Sequence, residues 1–293
     1  MKIGVIVPQG WTGEYNGWEG PRAWKRTVAV AQQAERLGFE SIWLFDHFHT
    51  VPRPTDEITF ESFTSLAALA MATERVRIGQ VVICNGFRNP ALVAKMASML
   101  DTISGGRYDL GIGAGWKREE WLAYGYGFPE TRDRLASLAD GLEVITRMLE
   151  PGRETRATFE GAHHSVKGAI NQPKPMQPKL PIMVGGNGPK VTWRLAARFA
   201  DELNLDGMSP DELRDALPTI HARCEEIGRD PASLAISVHS WWGEPAWAQP
   251  GERRVELLQQ YAELGVSRVI GLLQASADGD EALEALKEDA HQA

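Results

Sequence analysis

Cysteine is nearly missing from this sequence. Cys84 and Cys224 are the only 2 in 293 residues, too few for a disulfide scaffold and without the spacing of a metal site. That scarcity fits a reduced, cytoplasmic protein. No run approaches the roughly 18 apolar residues of a membrane span. The opening stretch MKIGVIVPQG has no long apolar region or cleavage site, so it reads as a first strand rather than a signal peptide. Positive charge is also short: 31 Lys and Arg stand against 39 Asp and Glu, a net charge of -8. With no clustered basic face, nucleic acid and anionic membrane are poor partners.

What is present is the balance of a globular protein with a sizeable core, 43% hydrophobic and 24% charged. Short β-rich runs alternate with helical patterns from end to end. Strands are expected at Ile3–Val7, Ser41–Phe45, Val76–Ile83, Arg107–Ile112, Pro181–Val184, Glu202–Leu205, Ala235–His239 and Arg268–Leu272. Each is apolar through consecutive positions, as when both faces of a strand are buried. Between them, Leu135, Leu138, Leu142, Ile145 and Leu149 mark one helix face, and Leu92, Met96, Met99, Leu100 and Ile103 another. Eight strand–helix units predict an α/β fold, a (β/α)₈ TIM barrel forming one domain over residues 1–293, with an open doubly wound sheet as the alternative. One stretch, at about 152–180, breaks the alternation and reads as an inserted hairpin between helix 4 and strand 5, followed by a proline-rich crossing.

A barrel carries its chemistry at the carboxyl ends of its strands. The segments there are rich in aromatics: Trp11, Trp18, Trp116, Trp121, Trp241, Trp242 and Trp247 make 7 of the 10 tryptophans. Such a cluster suits a deep apolar pocket for a flat ring, although any one indole can equally pack between loops. After the fifth strand comes VGGNGPK, where Gly185, Gly186, Asn187 and Gly188 precede a helix expected to start near Pro189. That arrangement can admit an anion to the helix N-terminus, or simply form a tight turn. Gly111, Gly113 and Gly115 alternate along the fourth strand and beyond, allowing close approach of a ligand or of another backbone.

The second strand ends in Asp46-His47-Phe48-His49. A histidine there can exchange a proton near neutral pH. The His-x-His pair also permits a metal-dependent barrel hydrolase, but strand eight closes as VIGLLQ without a ligand, so the metal set looks incomplete and no metal is expected. A phosphate-binding aldolase would want a lysine ending a strand, and none of the eight has one. A non-catalytic cofactor binder remains open.

The stretches AERLGFESIWLFDHF, ATERVRIGQVVICNGFRNPALVAKMASMLDTISGGRYDLGIGAGW, KPMQPKLPIMVGGNGPK and RLAARFADELN together resemble the bacterial luciferase-like monooxygenase superfamily, in its coenzyme F420-dependent oxidoreductase branch. The resemblance implies hydride transfer between F420, or alternatively FMN, and a small or medium-sized organic substrate. It implies His47 as the proton donor or acceptor, with Asp46, Asn85, Gly113, Ala114, Gly115 and Trp116 around the cofactor. Val81–Val82 would form a bulge with a cis peptide behind its ring, and Gly185 to Gly188 would line its phosphate end. Trp11, Trp241 and Trp242 would face substrate, and homodimers are common in the family. The sugar-phosphate dehydrogenases of the branch carry a glutamate where this chain has Trp116, which points to a larger, more apolar substrate.

Overall fold

The computed structural model describes residues 1–152 and 156–293. Arg153, Glu154 and Thr155, at the start of the expected insertion, lie outside the described residues. The strands are β1 (Lys2–Ile6), β2 (Ser41–Leu44), β3 (Arg77–Gln80), β4 (Ile83–Cys84), β5 (Tyr108–Gly113), β6 (Arg156–Glu160), β7 (Ser165–Ile170), β8 (Ile182–Gly185), β9 (Glu202–Asp206), β10 (Ala235–Ser240) and β11 (Arg268–Leu272). All but β6 and β7 pair in parallel in the order β3-β2-β1-β11-β10-β9-β8-β5-β4. The sheet closes where Ile78 of β3 pairs with Tyr108 and Ile83 of β4 pairs with Ile112, both in β5. The result is the (β/α)₈ barrel, with β3 and β4 serving as two pieces of one barrel strand.

That division departs from the continuous strand expected over Val76–Ile83. The chain bulges at Val81 and Val82, which are joined by a cis peptide. Room for the bulge comes from β5 and β8. A Cβ on Gly113 or on Gly185 would lie 2.9 Å from a Val82 methyl, and one on Gly111 would strike the Gln80 carbonyl. Gly111 and Gly113 are therefore packing partners of this bulge, while Gly115 makes room for Cys84 and Trp121.

Among the described residues, eight helices alternate with the barrel strands: Gly20–Arg36, Ser62–Ala72, Pro90–Ser104, Thr131–Leu149, Thr192–Phe199, Pro210–Glu225, Glu252–Glu263 and Glu281–Gln292. Their apolar stripes meet the outer strand faces in one large core that includes Val30, Leu66, Leu142, Leu213 and Leu258. Inside the barrel, Ile6, Trp43, Phe45, Met183, Ile270 and Leu272 form a second cluster. Trp43 fits because Gly4 and Gly79 have no side chain to meet its ring, and its Nε1 donates to Ser41 Oγ at 2.8 Å. The inserted segment is an antiparallel hairpin, β6 with β7. Two further short helices, Arg118–Ala123 after β5 and Pro245–Ala248 after β10, sit on the carboxyl rim.

Candidate active site

The carboxyl rim encloses a cavity of about 350 Å³, within the range of small-molecule sites. Trp11, Asp46, His47, Val81, Val82, Gly113, Ala114, Gly115, Trp116, Gly185, Gly186, Asn187 and Trp241 all line it. The barrel thus brings together most of the expected residues from six different strand ends.

Three stand elsewhere. Asn85 is buried beside a neighbouring cavity, where its Nδ2 donates to Ser137 Oγ at 3.2 Å. Trp242 packs behind the wall, edge-on to Trp11 at 5.2 Å. Gly188 sits under Thr192, where a Cβ would come 2.8 Å from the threonine hydroxyl. The following helix starts at Thr192 rather than near Pro189, because residues 189–191 first make a turn in which Trp193 N–H donates to the Gly188 carbonyl at 3.1 Å.

His47 lines the cavity in a close pair with a buried carboxylate. Its Nδ1 lies 2.7 Å from Glu120 Oε2, and its ring stacks on Trp11 at 4.0 Å with an interplanar angle of 3°. The other Glu120 oxygen accepts the Phe48 N–H at 2.9 Å. A carboxylate at Nδ1 fixes the tautomer, leaving Nε2 as the nitrogen available to the cavity. Burial is the largest influence on Glu120 and acts to raise its pKa. The hydrogen bond and charge of His47, together with the Phe48 N–H, outweigh it and hold the carboxyl below its ordinary range.

The sequence offers two adjacent glutamates just beyond Trp116, Glu119 and Glu120, without showing whether either reaches the pocket, and it is Glu120 that lines it. Gly115, at φ +79°, turns the chain after β5 into the six-residue helix Arg118–Ala123, which buries Glu120 and Trp121 and leaves Glu119 outside. Six residues are too few for a helical period to show which of two adjacent glutamates points inward.

Asp46 lines the same cavity with its carboxylate already engaged. Its carboxylate accepts Ser62 Oγ, the Cys84 N–H and both terminal nitrogens of Arg88 at 2.7–2.9 Å. Four bonds fill the acceptor capacity of a carboxylate, so Asp46 ties β2 to β4 and holds His47 in register. Cys84 is buried beside this carboxylate. Burial above all, with the Asp46 charge, outweighs the Gly86 and Phe87 N–H groups and pushes its thiol up to about 12.

A second histidine shares the cavity: His239, at the end of β10, has Nδ1 2.9 Å from Asp206 Oδ1. His49, the partner in the His-x-His pair, turns away so that its Nδ1 meets the Thr50 carbonyl at 3.1 Å. Among the described residues, no group of three His, Cys, Asp or Glu is arranged to hold a metal ion.

The sequence matches the luciferase-like monooxygenase family model over residues 1–289. The chain belongs to that family. Among relatives of this luciferase-like barrel is the F420-dependent glucose-6-phosphate dehydrogenase of Kineococcus radiotolerans, 37% identical over 229 residues. The match covers 76% of this chain and 66% of that protein, so the chain spans about two thirds of its length. Two solved structures share the fold. An F420-dependent secondary alcohol dehydrogenase, in complex with an F420-acetone adduct, has a TM-score of 0.80 at 20% identity, with 97% of this chain and 98% of that one covered. The oxygenating constituent of 3,6-diketocamphane monooxygenase from Pseudomonas putida, in complex with FMN, has a TM-score of 0.75 at 17% identity, with 100% and 97% covered.

Proposed function

We propose that this luciferase-like barrel is an oxidoreductase that transfers a hydride between coenzyme F420 and a small or medium-sized organic molecule. The observation that carries this reading is the buried His47–Glu120 pair, 2.7 Å apart, at the mouth of a cavity floored by Val81, Val82, Gly113 and Gly185. The dehydrogenase of Kineococcus, similar over three quarters of the chain, supports F420 over FMN.

The residues present fit a flat cofactor. No side chain on Gly113 or Gly185 intrudes on the floor, and none could without displacing Val82. Gly185, Gly186 and Asn187 would hold the anionic portion together with the first-turn N–H groups of helix Thr192–Phe199, whose Thr192 also lines the cavity. When bound, F420 supplies the two-electron donor or acceptor.

The protein supplies orientation and a proton. His47 Nε2 gives the proton to a substrate oxygen during reduction, or takes it during oxidation. Glu120 fixes the ring's tautomer and balances its charge while it carries the extra proton. Trp11 keeps the imidazole plane in place by stacking. Trp116 and Trp241 make the remaining walls largely aromatic, which favours a planar, apolar substrate over a sugar phosphate. The chain is further proposed to be a cytoplasmic homodimer. Exposed Leu92 and Met99 on helix Pro90–Ser104, with Met71 on the adjoining helix Ser62–Ala72, offer an apolar face for a second copy, which light scattering would test.

The direct test of function is a parallel titration with F420 and with FMN, following tryptophan quenching and cofactor absorbance. Bleaching of F420 absorbance is then followed with a panel of alcohols, and its recovery with aldehydes, ketones and enones. Tight binding of F420 with turnover of at least one panel member is the expected result; preference for FMN overturns it.

A further inference from the structure

His239 is nearly inaccessible, at 5% exposure, yet its Nε2 has no hydrogen-bond partner among the described residues. A buried polar atom left without a partner calls for an explanation. Its surroundings show that the orientation is built. Asp206, at the end of β9, holds Nδ1 at 2.9 Å. Asp206 is itself fixed by Asn187 after β8: the Asn187 amide donates to the Asp206 carbonyl at 2.7 Å and accepts the Asp206 N–H at 2.9 Å. Three successive strand ends thus converge to hold one ring. Because the carboxylate accepts Nδ1–H, the neutral ring has a bare lone pair on Nε2.

The ring stands in the aromatic wall, 5.5 Å from Phe45 and 5.6 Å from Trp241 between centroids. That wall is built by residues at the ends of β1, β2 and β10, whereas the residues that floor the cavity come from β4, β5 and β8. Phe45 also neighbours His47, at 6.4 Å. The two imidazoles therefore flank one phenyl ring in the aromatic wall.

We propose that His239 is the second anchor of the substrate: its Nε2 accepts a hydrogen bond from a hydroxyl or N–H group at the end of the substrate remote from His47. The substrate class is accordingly a planar or apolar molecule with two polar ends, one carbonyl or alcohol carbon that exchanges the hydride and one separate hydrogen-bond donor. Asp206 and Asn187 are positioning residues for that contact. The inference rests on the proposed function for the identity of the reacting end, but its core claim concerns recognition alone.

The test uses two probes of nearly equal shape, 4-hydroxybenzaldehyde and 4-methylbenzaldehyde, titrated by calorimetry into the wild-type protein, His239→Phe and Asp206→Ala. The ratio of hydroxyl-probe to methyl-probe affinity is the readout, so a general loss of packing cancels. One neutral hydrogen bond to a buried partner predicts a fall in that ratio of roughly five- to tenfold in His239→Phe, and a smaller fall in Asp206→Ala. Asp206 is half-exposed, so its variant keeps the question answerable if the buried substitution fails to fold. A fall of threefold or more in a folded variant supports the anchor. A smaller change, equal weakening of both probes, or no binding of either probe to the wild type overturns it. F420 titrated separately into the same samples keeps the two readings apart: loss of cofactor binding in the wild type would sink the proposed function and leave the ratio to be judged alone.

Discussion

The two ends of the barrel use charge in opposite ways. At the amino end, Lys2, Arg77 and Arg268 face Glu40, Asp109 and Glu202. Arg268 reaches all three carboxylates at 3.1–3.5 Å, Lys2 pairs with Glu40 at 3.4 Å, and Arg77 forks onto Asp109. Three cations meet three anions, and the layer closes on itself. At the carboxyl end, two cavity-lining histidines each pair one ring nitrogen with a carboxylate. A barrel whose charges are balanced below and left partly unmatched above has its chemistry above. Substitutions at the two ends should therefore separate stability from catalysis.

The largest expected effect is at the top. His47→Ala should lower kcat by about 10²–10⁴-fold, the usual contribution of a positioned proton carrier, while the melting temperature and F420 affinity change little. Steady-state kinetics beside a cofactor titration checks this. A change in affinity with no change in rate would make the barrel a binder rather than an enzyme.

Next comes the bottom. Arg268→Met leaves Glu40, Asp109 and Glu202 facing one another with the central cation gone, and should cost about 3–5 kcal/mol in denaturant unfolding. Any folded fraction should retain kcat, because the substituted layer lies at the far end of the strands from His47.

Glu120→Gln should lower kcat by about 10²-fold with a smaller change in KM, since the amide can still meet Nδ1 but cannot balance a protonated ring. It should also flatten the acid limb of the stability curve. Glu120 has a depressed pKa in the folded state, so its contribution is complete above the ordinary carboxylate range and is lost as pH falls through the lower folded value. Thermal unfolding of the two proteins between neutral and acidic pH would show their difference narrowing as pH falls.

Much of this contrast could be read in the sequence, but unevenly. Strands such as Ser41–Leu44 and Arg268–Leu272 announce themselves because both faces are buried and every position is apolar or tied into a pair. The His47 position was legible for the same reason, as the first polar residues after such a run mark the rim. The partners were not. Glu120 lies 73 residues from His47, on a helix too short to reveal its phase, and Asp206 lies 33 residues from His239. The break at Val81–Val82 was hidden in an unbroken apolar run and was suggested only by family resemblance. Among the tryptophans, Trp11, Trp116, Trp121 and Trp241 line the cavity, whereas Trp247 is fully buried against Gly271 with Nε1 on the Leu272 carbonyl at 3.0 Å. Composition counts indoles, but only the packing of each loop decides which ones face a ligand.

The smallest expected effect sharpens the comparison most. Glu202 belongs to the balanced layer, yet burial, the largest influence, raises its carboxyl pKa despite the opposing Arg268 charge. An acid whose folded value is raised costs stability while ionised, and the folded state gains as pH falls through that value. Glu202→Gln removes the cost of burying the charge, while Arg268 keeps Glu40 and Asp109 as partners. The variant should therefore lie within about 1 kcal/mol of wild type at neutral pH, on the stabilising side, with activity unchanged. A loss of several kcal/mol would instead mean that the lower layer depends on every pair it contains, and that its charges are no more redundant than the two histidine–carboxylate pairs above.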